Sequence, residues 1–122
     1  MSTDGHHVAL TVPAVPEYLR LARTASADAA SRAGFDYEEI DDLRIAVSEL
    51  CHLLIGTGGG GTLSLELWVR ERGVTIDGYV SNPGSSVENE FSSAILATVV
   101  DEYTISDGDD GRRFHVVKNP KR

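Results

Sequence analysis

Within the stretch Ile40 to Ile55, IDDLRIAVSELCHLLI, a single acidic side chain stands where it could do chemistry. The apolar residues Ile40, Leu43, Val47, Leu50 and Leu54 fall at helical three- and four-residue steps. Glu49 lies on the shoulder of that stripe and shares a face with Ala46 and Leu53. A carboxylate so placed is either a snorkelling surface residue or the polar floor of a site, and helical position alone favours the surface residue, as for most helical glutamates. Ser48 and His52, four residues apart on the opposite face, could open a nucleophilic arrangement, but no acidic orienter is evident for them. His6-His7 invites a metal reading. Adjacent histidines of a strand point to opposite faces, however, and no Cys or acidic partner stands at ligand spacing. His115 falls in the last strand with no recognisable partner. The Gly58 to Gly61 run could cradle an anion through its amides, yet it follows a helix, precedes a strand and lacks the Lys-Ser/Thr of a phosphate loop. It reads as a flexible connector.

The elements that must position these residues follow from periodicity and punctuation. Residues 1 to 5 are polar and read as loose, and His7 to Val12 reads as a strand ended by Pro13. Pro16 opens a helix whose apolar side is Tyr18, Leu19, Leu21, Ala22, Ala25, Ala29 and Ala30, with Gly34 as its cap. Asp36 with Glu39 three residues on forms a capping box for the second helix, which ends at Gly56. Alternation of Leu63, Leu65, Leu67 and Val69, a turn at Arg72-Gly73, then Val74, Ile76, Gly78 and Val80 make 62–81 a hairpin. Asn82 to Ser86 is a loop, Glu90 to Val100 a third helix, and Tyr103 to Ser106 a strand. Asp107 to Gly111 is a turn, Arg113 to Val117 the final strand, and Lys118 to Arg122 a basic tail. The order predicts an α/β two-layer sandwich: one mostly antiparallel sheet of about five strands with three helices on one face.

The totals bound the function. At 122 residues the chain is expected to be one domain, 1–122, and its 41% hydrophobic content can fill one core. No apolar run approaches the length that spans a bilayer and no leader is seen, so the expectation is a cytoplasmic, soluble protein away from membranes. Nineteen acidic against eleven basic residues, a charge of −8, repel phosphate backbones and argue against nucleic-acid binding. The same charge fits a basic protein partner or a plain solubility device, and both remain open. The lone Cys51 excludes a disulfide framework and reads as a small buried residue.

One run is specific enough to resemble a family. Asp42-Leu43-Arg44-Ile45-Ala46-Val47-Ser48-Glu49-Leu50-Cys51, after a strand and a Pro-led helix, resembles the anti-sigma-factor serine kinases of the GHKL (histidine-kinase-like) ATPase superfamily. There the helix reads approximately D-L-(R/K)-L-A-V-S-E-A-C-T-N-A. The segment VPAVPEYLRLAR, with Arg23, is also typical of the family and marks Arg23 as a candidate partner-binding residue. The resemblance implies the histidine-kinase-like ATPase (Bergerat) fold. It also implies that Glu49 stands where the family's catalytic base activates a serine hydroxyl.

Other positions depart from the pattern. The family's Mg²⁺-binding asparagine falls on Leu53, which offers no oxygen. Its D-x-G-x-G loop falls on Val80-Ser81-Asn82-Pro83-Gly84, leaving Asn82 and Gly84 as remnants of a nucleotide loop. Its G-x-G-L turn falls on Glu90-Phe91-Ser92-Ser93, and its Gly-Thr on Gly111-Arg112. The chain between Gly84 and Glu90 is too short for an ATP lid. Phosphoryl transfer consists of positioning and charge stabilisation, so these losses imply a fold that has given up its nucleotide. The resemblance then implies a homodimeric anti-sigma-like regulator, binding an RNA polymerase sigma factor, a STAS-domain antagonist or both, with no cofactor. The alternative is an ATP/Mg-dependent serine kinase acting on the STAS-domain antagonist, with Glu49 as base.

Overall fold

The second helix, α2 (Tyr37–Ile55), is set by its first turn. Asp36 accepts from the Glu39 amide and the Glu39 side chain accepts from the Asp36 amide, both at 2.8 Å. This reciprocal pair satisfies two otherwise orphaned donors. The computed structural model describes residues 6–70, 73–86 and 90–120. The turn expected at Arg72-Gly73, the loose residues 1 to 5 and the last two of the basic tail lie wholly or partly outside them.

Before α2 come strand β1 (His6–Pro13), a 3₁₀ turn (Pro16–Tyr18) and helix α1 (Leu19–Arg32). Pro16 therefore opens a 3₁₀ turn and not the α-helix itself. Val15 supplies no side-chain cap, so the first turn tightens into bonds from Tyr18 N to Val15 O and Leu19 N to Pro16 O. At the other end of α1, the Gly34 amide donates to Ser31 O and the Phe35 amide to Ala30 O, with Gly34 at φ 85°. This is the double closure in which a left-handed residue is required, so Gly34 acts as anticipated.

After α2 follow β2 (Gly60–Arg70), β3 (Gly73–Asn82), α3 (Glu90–Val99), β4 (Glu102–Gly108) and β5 (Gly111–Lys118). The five strands form one sheet in the order β1-β2-β3-β5-β4, every neighbouring pair antiparallel. Leu63, Leu65, Leu67, Val69, Val74, Ile76, Val80, Phe114 and Val116 are buried beneath the helices, as the alternation predicts. Leu43, Val47, Leu50 and Leu54 of α2 meet them, and Leu96 and Val99 join from α3. Gly78 is paired with Phe114, and a Cβ on Gly78 would stand 2.3 Å from the Phe114 ring, so the glycine makes room for the aromatic. No helix among the described residues is long and apolar enough to cross a membrane.

Two expectations change. The glycine run is not a free connector: Gly60 and Gly61 begin β2, and a Cβ on Gly59 would stand 2.3 Å from Gly84 N. Lys118 is not part of a tail. It closes β5 on the inward side, 4% exposed, where it donates to Val99 O at the end of α3 and lies 3.8 Å from Asp42. A cation at a helix C-terminus meets the negative end of the dipole.

Candidate functional site

α2 carries Glu49 half-buried along the edge of the core, facing α3. Ser92, 3% exposed on α3, donates its hydroxyl to Glu49 Oε2 at 2.7 Å. On the other flank, Arg23 of α1 donates to Ser48 Oγ at 3.3 Å. Arg23, Asp41, Arg44, Ile45, Ser48 and Glu49 line one recess of about 290 Å³. Arg23 and Glu49, singled out from the sequence, therefore line the same recess. Within it Arg44 is held by Asp41 at 2.9 Å, and Ile45 leaves much of its side chain open.

One turn beyond Glu49, Leu53 is a core residue, 3% exposed. The end of α2 is closed from β5. Arg112, 7% exposed, sends Nη1 to Leu53 O at 2.9 Å and to Leu54 O at 3.3 Å, Nη2 to Gly84 O at 2.9 Å, and Nε to Asp107 Oδ1 at 2.7 Å. The next carbonyl, Ile55 O, accepts from the Gly84 amide at 2.7 Å. Thr57 and Ser85 exchange both backbone bonds, at 3.0 and 2.9 Å. A Cβ on Gly84 would lie 2.1 Å from Thr57 O, so the loop after β3 lies backbone to backbone against the end of α2.

Gly84 thus belongs to this second cluster and not to the Glu49 recess. Asn82 stands exposed at the end of β3, opposite Gly60. Glu90 and Phe91 open α3, both exposed, Phe91 at 74%. Arg112, Asp107 and Ser92 carry the polar contacts, and none was picked out as functional from the sequence. The signal for Arg112 was parity: with Phe114 and Val116 facing inward on an alternating strand, Arg112 and Lys118 must face inward too.

The remaining candidates resolve differently. Ser48 receives Arg23 and His52 is exposed, so these two do not form a nucleophilic pair. His115 does have a partner: its Nδ1–H donates to Asp77 Oδ1 at 2.5 Å on the open face of the sheet, because β3 and β5 pair with Asp77 opposite His115. His7 stacks on Trp68 at 4.8 Å and meets Glu66 at 2.9 Å. Among the described residues no group of three His, Cys, Asp or Glu could hold a metal ion. Burial pushes the Cys51 thiol up to about 12, which makes it inert as a nucleophile.

Comparison with known proteins bears on most of the chain. The family model for the histidine kinase-like ATPase domain matches residues 12–118. Serine-protein kinase RsbW of Bacillus subtilis (strain 168) is 45% identical over 51 residues, 42% of this chain and 32% of that protein. The same-named protein of Listeria innocua is 53% identical over 49 residues, 40% of this chain and 31% of its own length. The chain thus spans about a third of the length of these relatives. A longer match, 28% over 116 residues, covers 91% of this chain and 71% of serine-protein kinase RsbW of Bacillus licheniformis. The crystal structure of the RsbU and RsbW domains of a Mycobacterium tuberculosis protein superposes with a TM-score of 0.72. At 16% identity, over 93% of this chain and 32% of that one, it shows a shared fold.

Proposed function

The chain belongs to the histidine kinase-like ATPase family, and from that premise we propose that it is an anti-sigma-like regulator that works without ATP. It would bind an RNA polymerase sigma factor, a STAS-domain antagonist or both, and so control transcription initiation. The observation that carries this reading is the guanidinium of Arg112, which ties Leu53, Leu54, Gly84 and Asp107 together where the family's nucleotide loop and Gly-Thr would stand.

Mg-ATP does not fit the residues present. Leu53 turns a buried aliphatic chain toward the core where a metal ligand is needed. The loop at Gly84 is sewn to α2 by backbone bonds that leave its amides already engaged. Glu90 and Phe91 bring a carboxylate and a bulky ring to the start of α3, where a polyphosphate needs bare backbone amides. No phosphoryl-transfer step is therefore assigned to Glu49. Its carboxylate holds Ser92 and so ties α3 to α2 beside the Arg23 recess. The net charge of −8 steers a basic partner toward the surface.

The test is the wild-type chain melted with and without millimolar Mg-ATP, alongside purified sigma factors and STAS-domain proteins from the same cells in a binding assay. The expected result is an unmoved melting temperature and a complex with one of them. A rise in melting temperature with Mg-ATP, by the linkage of binding to folding, overturns the reading. So does phosphate transfer to a STAS-domain serine that is lost in Glu49→Gln. That outcome favours the second reading, a serine kinase, for which the retained Glu49 in its recess is the supporting observation.

A further inference from the structure

We infer that the end of α2 is a guanidinium-binding site, filled in cis by Arg112, so that this end of the fold takes a cation and rejects a phosphate. An α-helix leaves its last four carbonyls without partners, and they carry the negative end of the dipole. In α2, His52 O still accepts the Gly56 amide, whereas Leu53 O and Leu54 O turn to Arg112 and Ile55 O to the Gly84 amide. Gly84 O adds a third carbonyl to the Arg112 cluster and the Asp107 carboxylate closes its remaining side.

Among the described residues, the groups that meet Arg112 here are all acceptors. A guanidinium offers five N–H donors in one plane and no acceptor, which is the complementary shape. Four contacts between 2.7 and 3.3 Å use its Nε, Nη1 and Nη2. A phosphate in the same place would meet only oxygen lone pairs. The guanidinium also bridges three segments far apart in the chain: the end of α2, the loop after β3, and β4. It therefore holds the Pro83–Ser86 loop shut with no ligand present, as a permanent internal substitute for one. That last consequence rests on the proposed function, because it equates the loop with the family's nucleotide loop; the site itself rests on the distances.

The test is Arg112→Ala titrated with ethylguanidinium, which replaces the deleted atoms, at millimolar concentrations well below those that denature. The variant is expected to melt below wild type and to recover saturably, its folding equilibrium rising about tenfold when the ligand stands at ten times its Kd. Wild type should gain nothing, and neither ethylammonium nor inorganic phosphate should rescue the variant. Absence of a saturable rise, or rescue by phosphate or Mg-ATP in its place, overturns the inference. Should Arg112→Ala not fold, Asp107→Asn serves, since Asp107 is largely exposed. Amide exchange at Thr57, Gly84 and Ser85 should then quicken by about two- to fivefold, the worth of one largely exposed charge pair, with β2–β3 amides unmoved. Unchanged exchange at those three amides also overturns it. Mg-ATP binding by the wild type overturns the proposed function alone and leaves the rescue result standing.

Discussion

Leu53→Asn sets the proposed ATP-free site directly against the family resemblance, which implies an asparagine that ligates Mg²⁺ at this position. Leu53 is 3% exposed and packed in the core, while its own carbonyl is held by Arg112. Replacing it removes about 1.5–3 kcal/mol of aliphatic burial. The new amide, carried into a position that is 3% exposed, adds about 1–3 kcal/mol of desolvation. The expected loss is about 2.5–6 kcal/mol, a large share of the 5–15 kcal/mol that holds an ordinary domain together. Urea unfolding should show a lower midpoint with an unchanged slope, and Mg-ATP should leave that midpoint where it is. A loss under about 1 kcal/mol together with a midpoint raised by Mg-ATP would mean that the asparagine reaches a metal in an open pocket. The reasoning from burial and from the Arg112 tie would then be refuted together.

Two further outcomes follow from α2. Asp36→Ala should cost about 1 kcal/mol, the usual worth of an N-cap, because it deletes the acceptor of the Glu39 amide; equal urea midpoints for variant and wild type would contradict it. Cys51 predicts a pH dependence. Its thiol ionises near the ordinary value of 9.0 when unfolded and is pushed up to about 12 when folded, since burial disfavours the thiolate. Between those values the unfolded chain holds fewer protons, so stability is complete below the lower pKa and falls by about 1.4 kcal/mol per pH unit above it. Wild type compared with Cys51→Ala between pH 8 and about 11 should show that slope in the difference, and parallel curves would count against it.

What could be read from the chain was local. The capping box at Asp36 and Glu39, the glycine closure of α1 and the alternation of β2 and β3 are each written within a few residues, and each formed as anticipated. The antiparallel sheet with three helices followed from their order. The glycine run was misread because what constrains Gly59 is the Gly84 backbone, which reaches it only after a hairpin has folded. His115 looked unpartnered for the same reason. Its partner Asp77 lies 38 residues earlier and comes opposite it only because β3 pairs with β5, passing over α3 and β4.

Arg112 shows the boundary most clearly. Its inward direction was legible by parity from Phe114 and Val116, and an inward arginine must find acceptors or pay heavily in desolvation. Beside Asp107, five residues away, its acceptors are backbone carbonyls 58 and 59 residues away together with Gly84 O, and a carbonyl carries no side-chain signature. Sequence could therefore show that a threonine was missing but not what its replacement does. The distinction has a functional consequence. A substitution that merely deletes a phosphate contact would leave a weak, open site that reversion could restore. On the proposed reading, an arginine that satisfies the end of α2 makes the loop part of the fold's own hydrogen bonding, and Leu53→Asn alone is expected not to open it to a nucleotide. Reopening would require both the metal ligand and the release of Arg112, and the two substitutions should be strongly non-additive because both act on the same turn of α2.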